Sequence, residues 1–189
     1  MADVRVSPET FSLVNFDGAR IATLASQLAD EVGLPADTVI EIAVDERTPA
    51  ARAKTVSIDG PIRFEVEGGA FEDPTVPRTL SDRLTIDVLG RLLFRVADRL
   101  SGGFGDAPPD EELSLQQQTA WDSYCMGRLE RLGHDVRKPR RQYHFRNRHG
   151  FSDVADQAFE RLWGGAGLTW ADVEAACAET AEARAAVSA

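Results

Sequence analysis

KTVSIDGPIRFEVE, residues 54–67, holds two short runs of period two around one turn signal. In the second run Ile62, Phe64 and Val66 alternate with Arg63, Glu65 and Glu67. That is the spacing of a strand with one covered face and one wet face. Asp59-Gly60 supplies the left-handed backbone a tight hairpin requires, so strands are expected over 54–58 and 62–67. Upstream, residues 38–46 repeat the pattern, with Ile40, Ile42 and Val44 set against Glu41, Ala43 and Asp45. Further out, Ile21, Leu24, Ala25, Leu28 and Val32 recur at helical spacing. Asp17 caps the start of that helix, and Gly33 with Pro35 stops it.

Downstream the period changes. Residues 72–79 contain Pro74 and Pro77 and read as a connector. Ser81 then caps a helix to residue 100 whose stripe is Leu84, Val88, Leu89, Leu92, Leu93, Val96 and Leu100. Ile86 and Phe94 widen the stripe, which implies cover on more than one side. Residues 101–112, SGGFGDAPPDEE, form a loop. Helices follow over 113–132 and 152–163, and a last one opens at Thr169 with Asp172 three residues on. The fold class expected is α+β. It comprises a small antiparallel or mixed sheet of about three strands in the N-terminal third, packed by an N-terminal helix and followed by a four-helix C-terminal region. A single globular domain is expected over 1–178, with an α/β part over 1–72 and a helical part over 80–178. The Ala-rich stretch 179–189 is expected to fray.

Hydrophobic residues make up 43% of the 189 and charged ones 28%, a globular balance that excludes a disordered chain. The first eleven residues hold Asp3 and Glu9 and no apolar run, and no Asn-x-Ser/Thr occurs, so neither a secretion leader nor glycosylation is expected. No apolar run is long enough to span a bilayer. Cys125 and Cys177 sit on apolar helix stripes without an adjacent basic group, as buried thiols rather than a disulfide or a nucleophile. A cytoplasmic location is expected.

Several chemistries are excluded by their missing motifs. There is no P-loop, no dinucleotide Gly-x-Gly-x-x-Gly after a strand, no Gly-x-Ser-x-Gly elbow, no Cys-x-x-Cys and no His-Glu-x-x-His. A small sheet followed by a long helix is the element order of zinc metallopeptidases, but this helix carries no histidine. No cofactor and no metal is therefore expected.

One segment departs from an overall charge of −10. Residues 137–148, RKPRRQYHFRNR, hold six basic groups (Arg137, Lys138, Arg140, Arg141, Arg146, Arg148) and no acid. Without those six, 15 basic residues face 31 acidic ones, a balance of −16. His134, His144 and His149 lie in or beside the strip, and Tyr143 and Phe145 interleave with it. Guanidinium forks match carboxylate and phosphate oxygens. Read as extended, the strip turns Tyr143 and Phe145 inward and His144, Arg146 and Arg148 outward. His144 and His149, five apart, fall on different faces, which disfavours a shared metal.

Asp45 and Glu46, at the end of a strand, are the acid–base candidates, and Glu41, Glu65 and Glu67 extend a carboxylate cluster beside them. Two functions follow as expectations. The first is a non-catalytic binding or interaction protein that uses 137–149, with Arg137, Lys138, Arg140, Arg141, His144, Arg146 and Arg148, for an anionic small molecule, a protein partner or a homodimer contact. The second is an enzyme acting on an anionic small molecule through Asp45 and Glu46. Nucleic acid is disfavoured, because the acidic remainder repels a polyanion.

Overall fold

A computed structural model describes residues 1–188. Within it the chain divides into two compact units, Met1–Ala97 and Asp98–Ala189. The elements are β1 (Asp3–Ser7), α1 (Gly18–Val32), β2 (Val39–Asp45), β3 (Ala53–Ser57), β4 (Ile62–Glu67), α2 (Asp82–Leu100), α3 (Leu115–Arg131), α4 (Lys138–His149), α5 (Asp153–Gly164) and α6 (Trp170–Ser188). The α+β class holds.

In the first unit a four-stranded mixed sheet runs in the order β1-β2-β4-β3. β1 and β2 pair in parallel, as do β2 and β4, while β3 and β4 form the expected antiparallel hairpin. Gly60 of its turn has φ 77°, the left-handed region. Ile40, Ile42, Val44, Ile62, Phe64 and Val66 are buried, and α1 packs on β1. Each such aliphatic or aromatic burial contributes roughly 1.5–3 kcal/mol. Asp17 accepts from the Arg20 backbone N–H and Gly33 closes α1 at φ 86°, as the capping pattern implied. Ser81 Oγ accepts from the Leu84 N–H at the head of α2.

The second unit gathers α3 to α6 with the end of α2. Its core holds Phe104, Trp121, Tyr124 and Trp170, with the rings of Phe104 and Trp121 stacked at 4.8 Å. Asp98 anchors it, accepting two bonds of 2.6 Å from Arg128 and one of 2.7 Å from the Trp121 indole. Where α3 crosses α5, a Cβ on Gly127 would fall 2.0 Å from the Trp163 carbonyl oxygen, so only glycine permits the approach. Cys125 is buried and Cys177 half-buried, and neither forms a disulfide. Burial and Glu174 push the Cys177 thiol up to about 11. Arg128 Nη2 lies 3.5 Å from Cys125 Sγ, so a basic group does adjoin that thiol, although Asp98 also binds this guanidinium.

Two elements were not expected. β1 is a short edge strand whose residues are exposed or half-buried, so its alternation carries little apolar weight. α4 replaces the extended reading of the basic strip. Phe145 is buried as expected, but Tyr143 is 55% exposed, because a helical turn rather than a two-residue repeat sets which side chains share a face. The C-terminal region therefore has five helices with α2, not four. The last of them continues through Ser188, and Ala189 lies outside the described residues.

Candidate functional site

The basic strip becomes a helix because its polar residues sort by turns. Pro139 occupies the first turn, where its missing N–H has no helical partner to lose. Phe145 and His149, four apart, point inward, and both are fully buried. Their rings stack at 3.8 Å, and Phe145 meets Phe159 of α5 edge-on at 5.5 Å. His149 Nε2 lies 3.1 Å from the Gln116 carbonyl oxygen, which can only accept, so this nitrogen carries the proton. Nδ1 therefore accepts from the Thr180 hydroxyl at 2.8 Å. Burial, opposed by the Gln116 bond and aided by Arg184, lowers the His149 pKa to about 4. One imidazole thus ties α4 to α3 and α6 as a neutral ring, a core role rather than a ligand's.

A second row of α4 faces α5. Lys138 Nζ donates to Glu160 at 2.7 Å and lies 5.6 Å from the Trp163 ring centroid. Arg146, eight residues on, forms a bidentate pair with Asp156 at 2.7 and 2.6 Å, and Gln142 between them reaches the same carboxylate. The guanidinium of Arg146 holds the Asp156 carboxyl below its usual range. These two cations of the strip are consumed within the unit.

The remaining row faces outward. Arg140, His144 and Arg148 follow one another at four-residue spacing, and all three are exposed. Arg141 lies half-buried on the same side, and Arg137 is exposed at the N-cap with φ 49°. The side chains of Arg137, Arg140 and Arg148 have no hydrogen-bond or ion-pair partner among the described residues. Partial burial first, then the positive charges of Arg140, Arg141 and Arg148, lower the His144 pKa from its ordinary value. Beside this row Tyr143 and Phe151, 55% and 67% exposed, meet edge-on at 6.1 Å. Phe151 did not figure among the sequence candidates. It follows the Gly150 stop as a lone aromatic, with no periodic partner to mark it.

The carboxylate candidates belong to the first unit. Glu46 accepts from the N–H of Leu13 at 2.7 Å and from the N–H and hydroxyl of Ser12 at 2.8 and 3.0 Å. Bonds led by the Leu13 N–H hold its carboxyl below the usual range, so it fastens the 12–13 loop and is a poor base. Asp45 is exposed and accepts from the Arg47 N–H at 3.0 Å. Glu41 pairs with Arg63 at 2.8 Å and Glu65 with Lys54 at 3.1 Å. Glu67 accepts from the Arg52 N–H. No cluster of three or more His, Cys, Asp or Glu suited to a metal ion occurs among the described residues, and no described helix is long and apolar enough to cross a membrane.

Comparison with protein-family models, with curated proteins and with solved structures gave no match. The functional reading rests on these residues alone.

Proposed function

We propose that the protein is a binding module whose recognition surface is the outer face of α4, and that its partner is anionic. The observation that carries this reading is the partition of the strip. α5 neutralises Lys138 and Arg146, whereas the side chains of Arg137, Arg140 and Arg148 meet no counter-charge among the described residues. That arrangement works against the helix. Arg140 stands in its first turn, at the positive end of its dipole, and shares one face with Arg148 with no acid between them. Local rules broken without internal compensation are the mark of a functional surface. A two-fold contact of this face with itself would set arginines against their symmetry mates, so the reading favours a foreign anion over a twin. The alternative, an acid–base enzyme at Asp45 and Glu46, is weakened by the engagement of Glu46 in its own loop.

His144 is the reporter for a test. An anion seated at either end of the row, beside Arg140 or Arg148, raises its depressed pKa toward the ordinary value. In sulfate, compared with chloride at equal ionic strength, the His144 ring should titrate higher, with amide shifts confined to 140–148. Arg140→Gln with Arg148→Gln should abolish the difference. Equal titration in the two salts would remove the proposal.

A further inference from the structure

We infer that the anionic partner of α4 is a short acidic protein segment bearing one large apolar side chain. The inference rests on the proposed role of α4 and narrows it to one class of partner. Length is the first argument. From Arg140 to Arg148 the helix rises about 12 Å, at about 1.5 Å per residue. An extended peptide of about four residues covers that distance, whereas a single phosphate group reaches only one end of the row. Carboxylates near the two ends of such a peptide fall beside Arg140 and Arg148, with charge complementarity at each end.

The aromatic pair is the second argument. Tyr143 and Phe151 are joined edge-on and lie more than half in solvent at the flank of the row. Covering them rewards an apolar side chain and gives nothing to an inorganic anion. Anchoring by one buried aromatic contact beside charged neighbours is how compact interfaces concentrate their affinity.

Reach is the third argument. Outside the strip the chain carries a balance of −16. Screening confines electrostatic forces to about 8 Å at physiological salt. A short segment lying on α4 therefore meets the local cations, whereas a polynucleotide or an anionic bilayer also meets the acidic remainder.

Fluorescence anisotropy with defined probes tests this on the full chain. The first probe is a labelled heptapeptide of glutamates around a central tryptophan, and the second has alanine at its centre. Single-stranded oligothymidylate and vesicles of phosphatidylserine with phosphatidylcholine are the competitors. The tryptophan peptide should bind at least tenfold more tightly than the alanine peptide, and more tightly than either competitor. Arg140→Glu with Arg148→Glu should weaken both peptides more than tenfold. Tyr143→Ala with Phe151→Ala, both at exposed positions, should erase the preference for tryptophan while leaving the far-UV circular dichroism unchanged. Equal binding of the two peptides, or tighter binding of oligothymidylate or vesicles, overturns the inference. If sulfate perturbs 140–148 but the peptides do not bind, this inference falls and the broader reading of α4 stands. If nothing perturbs α4, both fall.

Discussion

On the outer face of the sheet, Arg5 and Arg63 lie in register on either side of Glu41, and Lys54 lies opposite Glu65. The outer face of α4 carries Arg140, Arg141, His144 and Arg148 with no acid interspersed. Both faces are exposed and charged, but they differ in sign pattern. Alternating signs across neighbouring strands cancel at short range, and each exposed pair is worth a few tenths of a kcal/mol up to about 1. A single-sign row leaves an outward-reaching positive potential, on which the proposed anion binding rests. Charge density alone does not mark a binding surface. The sign pattern, read on the helix or strand period, is what the proposed role of α4 rests on.

The comparison breaks most severely if α4 loses its seat. Phe145 is fully buried against His149 and Phe159, and α4 offers few other apolar anchors. Phe145→Ala should cost about 3–5 kcal/mol, the range for deleting a buried ring. Urea denaturation followed by circular dichroism should show that loss, and the binding proposed for α4 should be lost alongside it. An unchanged midpoint would mean that the ring is not the pin.

Acid acts next. His149 is held neutral in the folded chain with a pKa of about 4, against about 6.5 when unfolded. Between those values the unfolded chain binds more protons, so stability rises with pH. The His149 contribution is complete above pH ~6.5 and is lost as pH falls toward 4, on the order of 3 kcal/mol in all. His144, also depressed, adds in the same direction, so His144→Gln is the control background. Glu46 and Asp156, whose folded values are lowered, lose their contributions only at still lower pH. Against that background, His149→Phe should be less stable at pH 7 and show a flatter dependence between pH 6.5 and 4.5. An unaltered slope would mean that His149 does not carry it.

The parts legible in the sequence were those with redundant signals. Ile62, Phe64 and Val66 alternate cleanly, a turn dipeptide precedes them, and they emerge as β4 with the expected face inward. Asp17, Gly33, Ser81 and Thr169 with Asp172 mark helix ends through local hydrogen bonds that need no tertiary context. α4 lacked such redundancy. Two buried residues in twelve give almost no apolar stripe, and Tyr143 with Phe145 imitates a strand period. Its real signal was polar: Lys138, Gln142 and Arg146 at four-residue spacing, matched by Asp156 and Glu160 at the same spacing on α5. That signal appears only when the two segments are read as partners. The partition of the strip into consumed and outward cations was hidden for the same reason.

The smallest expected effect separates the two faces by sign. Arg63→Glu places a carboxylate directly opposite Glu41 on the neighbouring strand and two residues from Glu65 on its own, where like charges directly opposite destabilise. A loss of up to about 1 kcal/mol follows, a fall in melting temperature of roughly 2–4 °C. Arg140→Glu does the opposite. It removes a positive charge from beside His144 and sets a negative one near the positive end of the α4 dipole. Its melting temperature should stay level or rise slightly, while the His144 pKa moves up. Charge reversal should thus be costly on a surface that completes its own pairs, and free or favourable on one that takes its counter-charge from outside, as proposed for α4. If both reversals lower the melting temperature equally, α4 is a self-balanced surface like the sheet, and its cations have no outward role to explain.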